Sequence, residues 1–438
     1  MTGNDLASGD SRVGWAWDAK LTTPYVAMLR DREHQVELVI PYDPSDEALH
    51  RRYAGSMVRW GDDPERSRFD YELPDQFWFM DARGFVSLNG IRAHAVEPIA
   101  GGPTIFNQCR VAVDYAVFSG TPGVDYSVVN GLSTRVEGLG QWFGHRSVRD
   151  NLLDPERSNE EFSLTITSPR TQRLDAGLNL SIVAGADWRL PGEPGLTHLE
   201  EVGSIRTTMQ RARPWEEHIE RHWAVHQLLE ISAWKPLGFQ QAKVMHRRDP
   251  QRVLSGKRVG DQWAPVKTYS LPGSQGKDGV DFLFTFQDIG ATGVRRWLRV
   301  RDRFSRGIHA MTFSIQNSGT SLDGLISDAG IGLEELGHTI DVLRGGGARR
   351  AHHAHLRDLA AEVDDLLPFS GAEWATESTE LYNDVKHADR RDPTAAELYG
   401  MLIKNRLVFR VWMARRIGVS DTVIGKGMWR LRRGLPDT

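Results

Sequence analysis

Between Gln35 and Met209 the chain is a succession of short runs dense in β-branched and aromatic residues, several alternating apolar with polar. Val36–Ile40 (VELVI), Gln76–Met80 (QFWFM), Gly84–Leu88 (GFVSL), Arg110–Phe118, Phe162–Thr167, Leu178–Ala184 and Val202–Met209 are of this kind, and polar turns such as Asp81–Gly84 separate them. Successive strand residues face opposite sides, so a period of two is what a strand with one buried face demands. Many short strands with little helix between them predict antiparallel sheets, as a sandwich or an open barrel. A weaker strand pattern resumes after Trp234, with Val280–Phe286 (VDFLFTF) its clearest member, and Ser270–Gly279 reads as a loop. No repeat of fixed period is visible.

One helix interrupts the strands. Pro214 suits a first turn, and Trp215, Ile219, Trp223, Leu228, Leu229 and Ile231 form an apolar stripe over Arg213–Ala233. His218, His222 and His226 follow each other at four-residue intervals on it. Such a spacing can chelate zinc, but there is no HExxH and no carboxylate at the right offset, so a polar helix face is expected rather than a metal site. Beyond Asp302 the period changes to that of helices. Leu322–Ile340, Leu356–Leu367 (closed by Pro368), a helix from about Glu373 with Trp374, Leu381 and Val385 inward, and Thr394–Ile417 are each amphipathic, and Gly345-Gly346-Gly347 ends the first. Four such helices with short connections predict an antiparallel bundle.

The fold class expected is therefore α+β: a mainly antiparallel β N-terminal domain followed by an all-α four-helix bundle. The expected boundaries are an N-terminal extension at 1–34, a β-rich domain at 35–300 that includes the helix at 213–233, the bundle at 301–420, and a basic tail at 421–438.

Composition narrows the setting. A chain of 438 residues with 40% hydrophobic and 26% charged residues is an ordinary globular one, of two to three domains by length. Cys109 is the sole cysteine, which excludes an intrachain disulfide framework and a cysteine-based zinc site and fits a reducing cytoplasm. The start, MTGNDLASGDSRVGW, lacks the pattern of a signal peptide, and no run approaches the roughly 18 apolar residues that cross a bilayer. A soluble cytoplasmic protein without a membrane partner is expected. The net charge of −4 gives no global sign of nucleic-acid binding. The segment from Thr394 to Thr438 is the exception, with nine Lys/Arg against three acids, and could face phosphate.

The stretch richest in chemistry is Leu381–Asp392, LYNDVKHADRRD. Asn383 and His387 lie one helical turn apart, so both side chains are expected to leave the same face of a helix. Lys386, Arg390 and Arg391 surround them with positive charge, and Asp392-Pro393 stops the helix beyond. An imidazole, an amide and several cations on one helix end suit a phosphodiester, although a solvated, capped helix end has the same composition. His352, His353 and His355 are too close together in sequence for all three to reach one metal ion from a regular helix.

These features together resemble the ApeA-like proteins, with an ApeA N-terminal domain followed by a HEPN domain. The segments that carry the resemblance are Phe69–Ile91, Val136–Val148 (VEGLGQWFGHRSV), the Trp215–Ala233 helix, Gly330–Leu343 (GIGLEELGHTIDVL) and the bundle ending in NDVKH. The resemblance implies an anti-phage defence ribonuclease, active as a homodimer, that cuts RNA (tRNA among the candidates) when the front domain meets a phage-derived protein trigger. The chemistry would need no metal and no cofactor: the 2′-hydroxyl attacks phosphorus, a histidine moves a proton, and a cation stabilises the phosphoryl oxygens. HEPN ribonucleases use an Arg, commonly followed by Asn, and then His. Carried over, His387 and Asn383 take the histidine and asparagine roles.

The arginine does not carry over, because Glu380, Leu381 and Tyr382 occupy the positions that could hold it. Losing that cation should cost about 3–4 kcal/mol of transition-state stabilisation. Lys386, Arg390 or a residue of the paired protomer could substitute; Lys386 is placed with the catalytic residues, and Tyr382, Arg390 and Arg391 with the substrate contacts. The alternative is a catalytically degenerate HEPN protein that binds RNA or a partner protein without cleaving.

Overall fold

The computed structural model describes residues 4–20, 22–32, 34–56, 60–100, 105–119, 121–150, 164–167, 170–189, 198–273, 279–317, 319–346 and 350–432. The expected strand at 162–167, loop at 270–279, glycine run at 345–347 and basic tail at 421–438 lie partly outside these residues. The elements run β1 (Ser11–Trp17), β2 (Tyr25–Arg32), β3 (Gln35–Tyr42), α1 (Glu47–Ala54), β4 (Gln76–Asp81), β5 (Gly84–Ala100), β6 (Ile105–Val117) and β7 (Val128–Val136). Then follow α2 (Leu139–Phe143), β8 (Val148–Asp150), β9 (Leu164–Ile166), β10 (Arg170–Arg173), β11 (Ser181–Arg189), β12 (His198–Pro214), α3 (Trp215–Ala233), β13 (Phe239–Arg252) and β14 (Arg258–Lys267). The remainder is helical: α4 (Phe286–Arg303), α5 (Ser305–Gln316), α6 (Leu322–Leu343), α7 (His352–Ala361), α8 (Gly371–Lys386), α9 (Ala395–Ile417) and α10 (Asp421–Arg432). The fold is α+β, an antiparallel β-barrel region followed by an all-helical one. Among the described residues no helix is long and apolar enough to cross a membrane.

The chain divides into two compact units. One comprises Met1–Arg135, Arg206–Glu220 and Gly238–Ser274, the other Val136–Ile205, Arg221–Leu237 and Gln275–Thr438. In the first, antiparallel strands follow the order β6-β3-β2-β1-β4-β5, and β5 pairs back onto β6 to close a barrel. Closure leaves none of these six strands an open edge, which an open barrel or sandwich would keep. The interior follows the period of two: Ala27 and Leu29, Val36, Leu38 and Ile40, Phe77 and Phe79, Val86 and Leu88, Val111 and Val113 are all buried.

Two barrel strands, β1 and β2, lie in the residues expected to form an extension. The pattern in β1 is inverted, which hides it. Val13 and Trp15 face outward while Arg12 and Ala16 face in, and Arg12 is neutralised there by a bidentate pair with Asp81 at 2.8 and 2.6 Å. Beside the barrel, β14 pairs with β6 and with β13. A second core forms where Trp215 stacks on Tyr115 at 4.1 Å and donates its indole N–H to the Tyr126 carbonyl.

In the second unit α9 is buried on most sides (Leu398, Met401, Leu402, Val408, Phe409, Val411 and Trp412) and packs against α4, α6, α8 and α10. A helix apolar nearly all round is the one at the centre. The helical region begins at Phe286, earlier than Asp302. Val280–Phe286, expected as a strand, is instead irregular and largely buried up to Thr285, and its last residue opens α4. Its backbone is satisfied without a ladder: Ser232 bonds both Leu283 and Phe284, and Gln141 donates to the Val280 carbonyl. Phe282, Leu283 and Phe284 supply the hydrophobicity that mimics a buried strand.

Candidate functional site

The best candidate is the C-terminal end of α8. Ser370 caps the start of this helix by accepting the Glu373 N–H. Asn405 of α9 anchors its middle, accepting from the Trp374 indole at 2.9 Å and the Ser378 hydroxyl at 3.0 Å. Trp374 and Leu381 are buried as the periodicity requires, Val385 is half-buried, and Tyr382 is buried beside them.

The helix stops at Lys386, six residues before Asp392. His387 is its C-cap, with extended backbone (φ −117°, ψ 112°), and donates its N–H to the Asn383 carbonyl at 3.0 Å. The residues beyond explain the early stop. None of Ala388 to Asp392 is buried, so a further turn would gain nothing from packing. Arg391 instead reaches back to Asp384 at 2.8 Å and forward to Glu397 at 2.7 Å, and Arg390 lies 3.6 Å from Asp384. Glu397 closes a capping box with Thr394 at the start of α9, and Arg391 with these bonds holds its carboxyl down at about 2.

The site residues therefore separate into two groups. His387 and Lys386 are exposed, Asn383 is half-buried, and Tyr382 is buried. Tyr382 and Lys386 meet: the ammonium lies 5.2 Å over the phenol ring and 3.5 Å from its hydroxyl. Arg390 and Arg391 are engaged by Asp384 and Glu397 and are not clustered on His387. No hydrogen bond joins the His387 imidazole to the Asn383 amide.

Tyr382 stands where the resemblance wants an arginine, and the packing shows what holds it. Its ring stacks on His352 at 4.7 Å and 12°, and His352 contacts Thr379 (3.2 Å) and the Gly330 carbonyl (3.3 Å). Burial holds the His352 imidazole below its ordinary pKa, and Lys386 adds to the effect. This stack depends on a missing side chain in α6, because a Cβ at Gly330 would sit 2.3 Å from the Tyr382 ring. Gly330→Ala gains roughly 1 kcal/mol of helix propensity but must push the ring aside, at a cost of about 1–3 kcal/mol. A net loss of up to about 2 kcal/mol in urea unfolding is the expected result, and a gain would mean that the stack moves freely.

The other histidines point to separate partners. His353 contacts Thr376 at 3.2 Å, and buried His355 meets the edge of His338 at 5.6 Å. On α3, His218 contacts Thr207 and the Val129 carbonyl, and His226 contacts the Leu237 carbonyl. Among the described residues no group of three His, Cys, Asp or Glu is placed to hold a metal. Sequence reading left Arg296, Arg299 and Arg303 at the margin of the β-rich domain. Their spacing of three and four, that of one helix face, is the signal that finds them.

Residues 84–299, just under half of the chain, match the family model described as ApeA N-terminal domain 1. No curated protein and no solved structure matches the chain. The matched segment runs from β5 into α4 and stops short of α5, so it concerns the front of the molecule and not the site on α8. Over residues 84–299 the chain is similar to the ApeA N-terminal domain, which suggests a family of anti-phage defence.

Proposed function

We propose that the protein is a defence ribonuclease whose helical region cuts RNA through a metal-independent reaction at the end of α8, triggered when the β-rich domain meets a phage-derived protein. The observation that supports this most is the exposed His387 at the C-cap, next in sequence to the exposed Lys386, whose ammonium lies over the Tyr382 ring. An imidazole open to solvent can transfer a proton at a strand laid over it, and an adjacent cation can stabilise charge on the phosphoryl oxygens. Lys386 supplies a point charge without the fork of a guanidinium, so the site is weaker than one with arginine. A second copy facing this end would bring two His387 side chains to one cleft, hence a homodimer as the active form.

The test compares wild type with His387→Ala, with and without phage, by growth and by RNA integrity. Because His387 is exposed, the substitution leaves folding intact. RNA cleavage is expected to fall by about 100-fold or more, with loss of protection. If both proteins protect equally and leave RNA intact, the nuclease reading fails.

A second reading has its own support. Tyr382 is buried where a catalytic arginine is expected, and Arg390 and Arg391 are held in ion pairs. Those features fit a degenerate bundle that binds RNA or a partner protein without cutting. Purified protein that shifts RNA in a gel, loses binding as salt rises and never cleaves would favour it.

A further inference from the structure

Among the described residues, α4 carries three exposed arginines without an ion pair, Arg296, Arg299 and Arg303. The buried face of α4 is formed by Ile289, Val294, Trp297 and Leu298, and the opposite face carries Arg296, Arg299 and Arg303, all exposed. Their spacing of three and four residues places them in one row. The row continues at the same spacing into α5 with Arg306, His309 and Phe313. Backbone bonds from Phe304 to Val300 and from Ile308 to Phe304 carry the helical ladder across the junction.

Like charges three and four apart repel, so this arrangement weakens the helix that carries it. Asp302 is the single acid in the stretch 295–306, and Arg306 pairs with Glu335 at 3.1 Å. Neither Arg299 nor Arg303 forms an ion pair with a described residue, in contrast to Arg390 and Arg391. At the far end, Phe313 is 45% exposed, with His309 beside it at 6.4 Å. A phenylalanine half in water gains nothing for folding there, but it offers a face on which a base can stack.

We infer that α4 and α5 form a track for single-stranded RNA, with Arg296, Arg299 and Arg303 on successive phosphates and Phe313 stacking on a base. Seven residues of helix separate Arg296 from Arg303, about 10 Å, which is the axial length of about three nucleotides of one strand. The combination of guanidinium row and exposed ring favours a single strand over a duplex, whose bases are not available for stacking. The inference rests on the reading of the protein as one that acts on RNA, and it adds where the RNA lies.

The experiment uses the full chain and a labelled 20-nucleotide single-stranded RNA, with phosphatidylserine vesicles as a second probe. The double variant Arg299→Gln/Arg303→Gln changes only exposed side chains and is checked for wild-type circular dichroism. It should bind at least tenfold more weakly, and the slope of log affinity against log salt should fall by about 1.4, or about 0.7 for each lost phosphate contact. Phe313→Ala should weaken binding about tenfold with the salt slope unchanged. The inference is overturned if the double variant keeps wild-type affinity and slope, if Phe313→Ala is silent, or if vesicles and not RNA capture the chain. RNA bound along this track but never cleaved would sink the nuclease reading alone, whereas cleavage unchanged in the double variant would sink the track alone.

Discussion

Arg410→Ala is expected to destabilise the helical unit by about 3–5 kcal/mol, because the Ile231 carbonyl loses its donor, the Ser232 carbonyl keeps only the Leu283 N–H, and a cavity opens. Arg410 lies in the middle of α9 and is buried, and it donates to the carbonyls of Ile231 and Ser232 at the end of α3. Those carbonyls belong to the last turn of a helix, which has no internal donor for them and carries the negative end of the dipole. The guanidinium thus replaces both the missing donors and the missing counter-charge. Trp234 follows in a left-handed conformation (φ 53°), costly for any side chain, and is held by Phe409, Arg406 and Arg410. Arg410→Lys keeps the charge but cannot reach both carbonyls, so a loss of about 1–2 kcal/mol is expected from it. Urea unfolding followed by tryptophan fluorescence measures both. An Arg410→Ala protein within about 1 kcal/mol of wild type would show that water reaches the end of α3 and satisfies it.

This joint also shows where sequence reading ends. Period and composition were enough to find the central barrel strands and α6 to α9, because each buries one face and the side chains alternate accordingly. They did not find β1, whose outward residues are the apolar ones, and they mistook Val280–Phe286 for a strand because a buried irregular segment is equally hydrophobic. That error could be avoided only by knowing that Ser232 and Gln141, distant in sequence, satisfy its backbone. At the candidate site Tyr382 and Lys386 meet, one turn apart, a pairing the sequence reading did not name. The sequence could not show that the helix ends before His387, since that depends on Arg391 bridging Asp384 and Glu397. Nor could it show that Tyr382 is clamped by His352 and Gly330, which come from two other helices. Long-range partners, rather than local propensity, decide both features.

Removing the carboxylate of Glu230 should expose a pH dependence that the intact protein conceals. Glu230 and His226 lie one turn apart on α3, both buried, with the imidazole Nδ1 3.6 Å from the carboxylate. Burial raises the Glu230 carboxyl from 4.5 to about 7, although Leu237 and Gln316 donate to it. Burial lowers His226 from 6.5 to about 4, against the pull of the Leu237 carbonyl and the charge of Glu137. From pH 4.5 to about 7 the folded Glu230 keeps a proton that the unfolded residue has released, so its contribution to stability falls as pH rises, by about 1.4 kcal/mol per unit. From about pH 4 to 6.5 the unfolded His226 binds a proton that the folded residue refuses, so its contribution rises with the same slope. Between pH 4.5 and 6.5 the two cancel, and the pair stays neutral throughout. Glu230→Gln should therefore gain about 3 kcal/mol of stability between pH 4.5 and 6.5 relative to wild type, while His226→Gln should lose about the same. Urea midpoints at pH 4.5, 5.5 and 6.5 for the three proteins check this. Parallel profiles would mean that proton uptake at the two groups is the same folded and unfolded, and that burial of this turn of α3 excludes less water than its zero exposure implies.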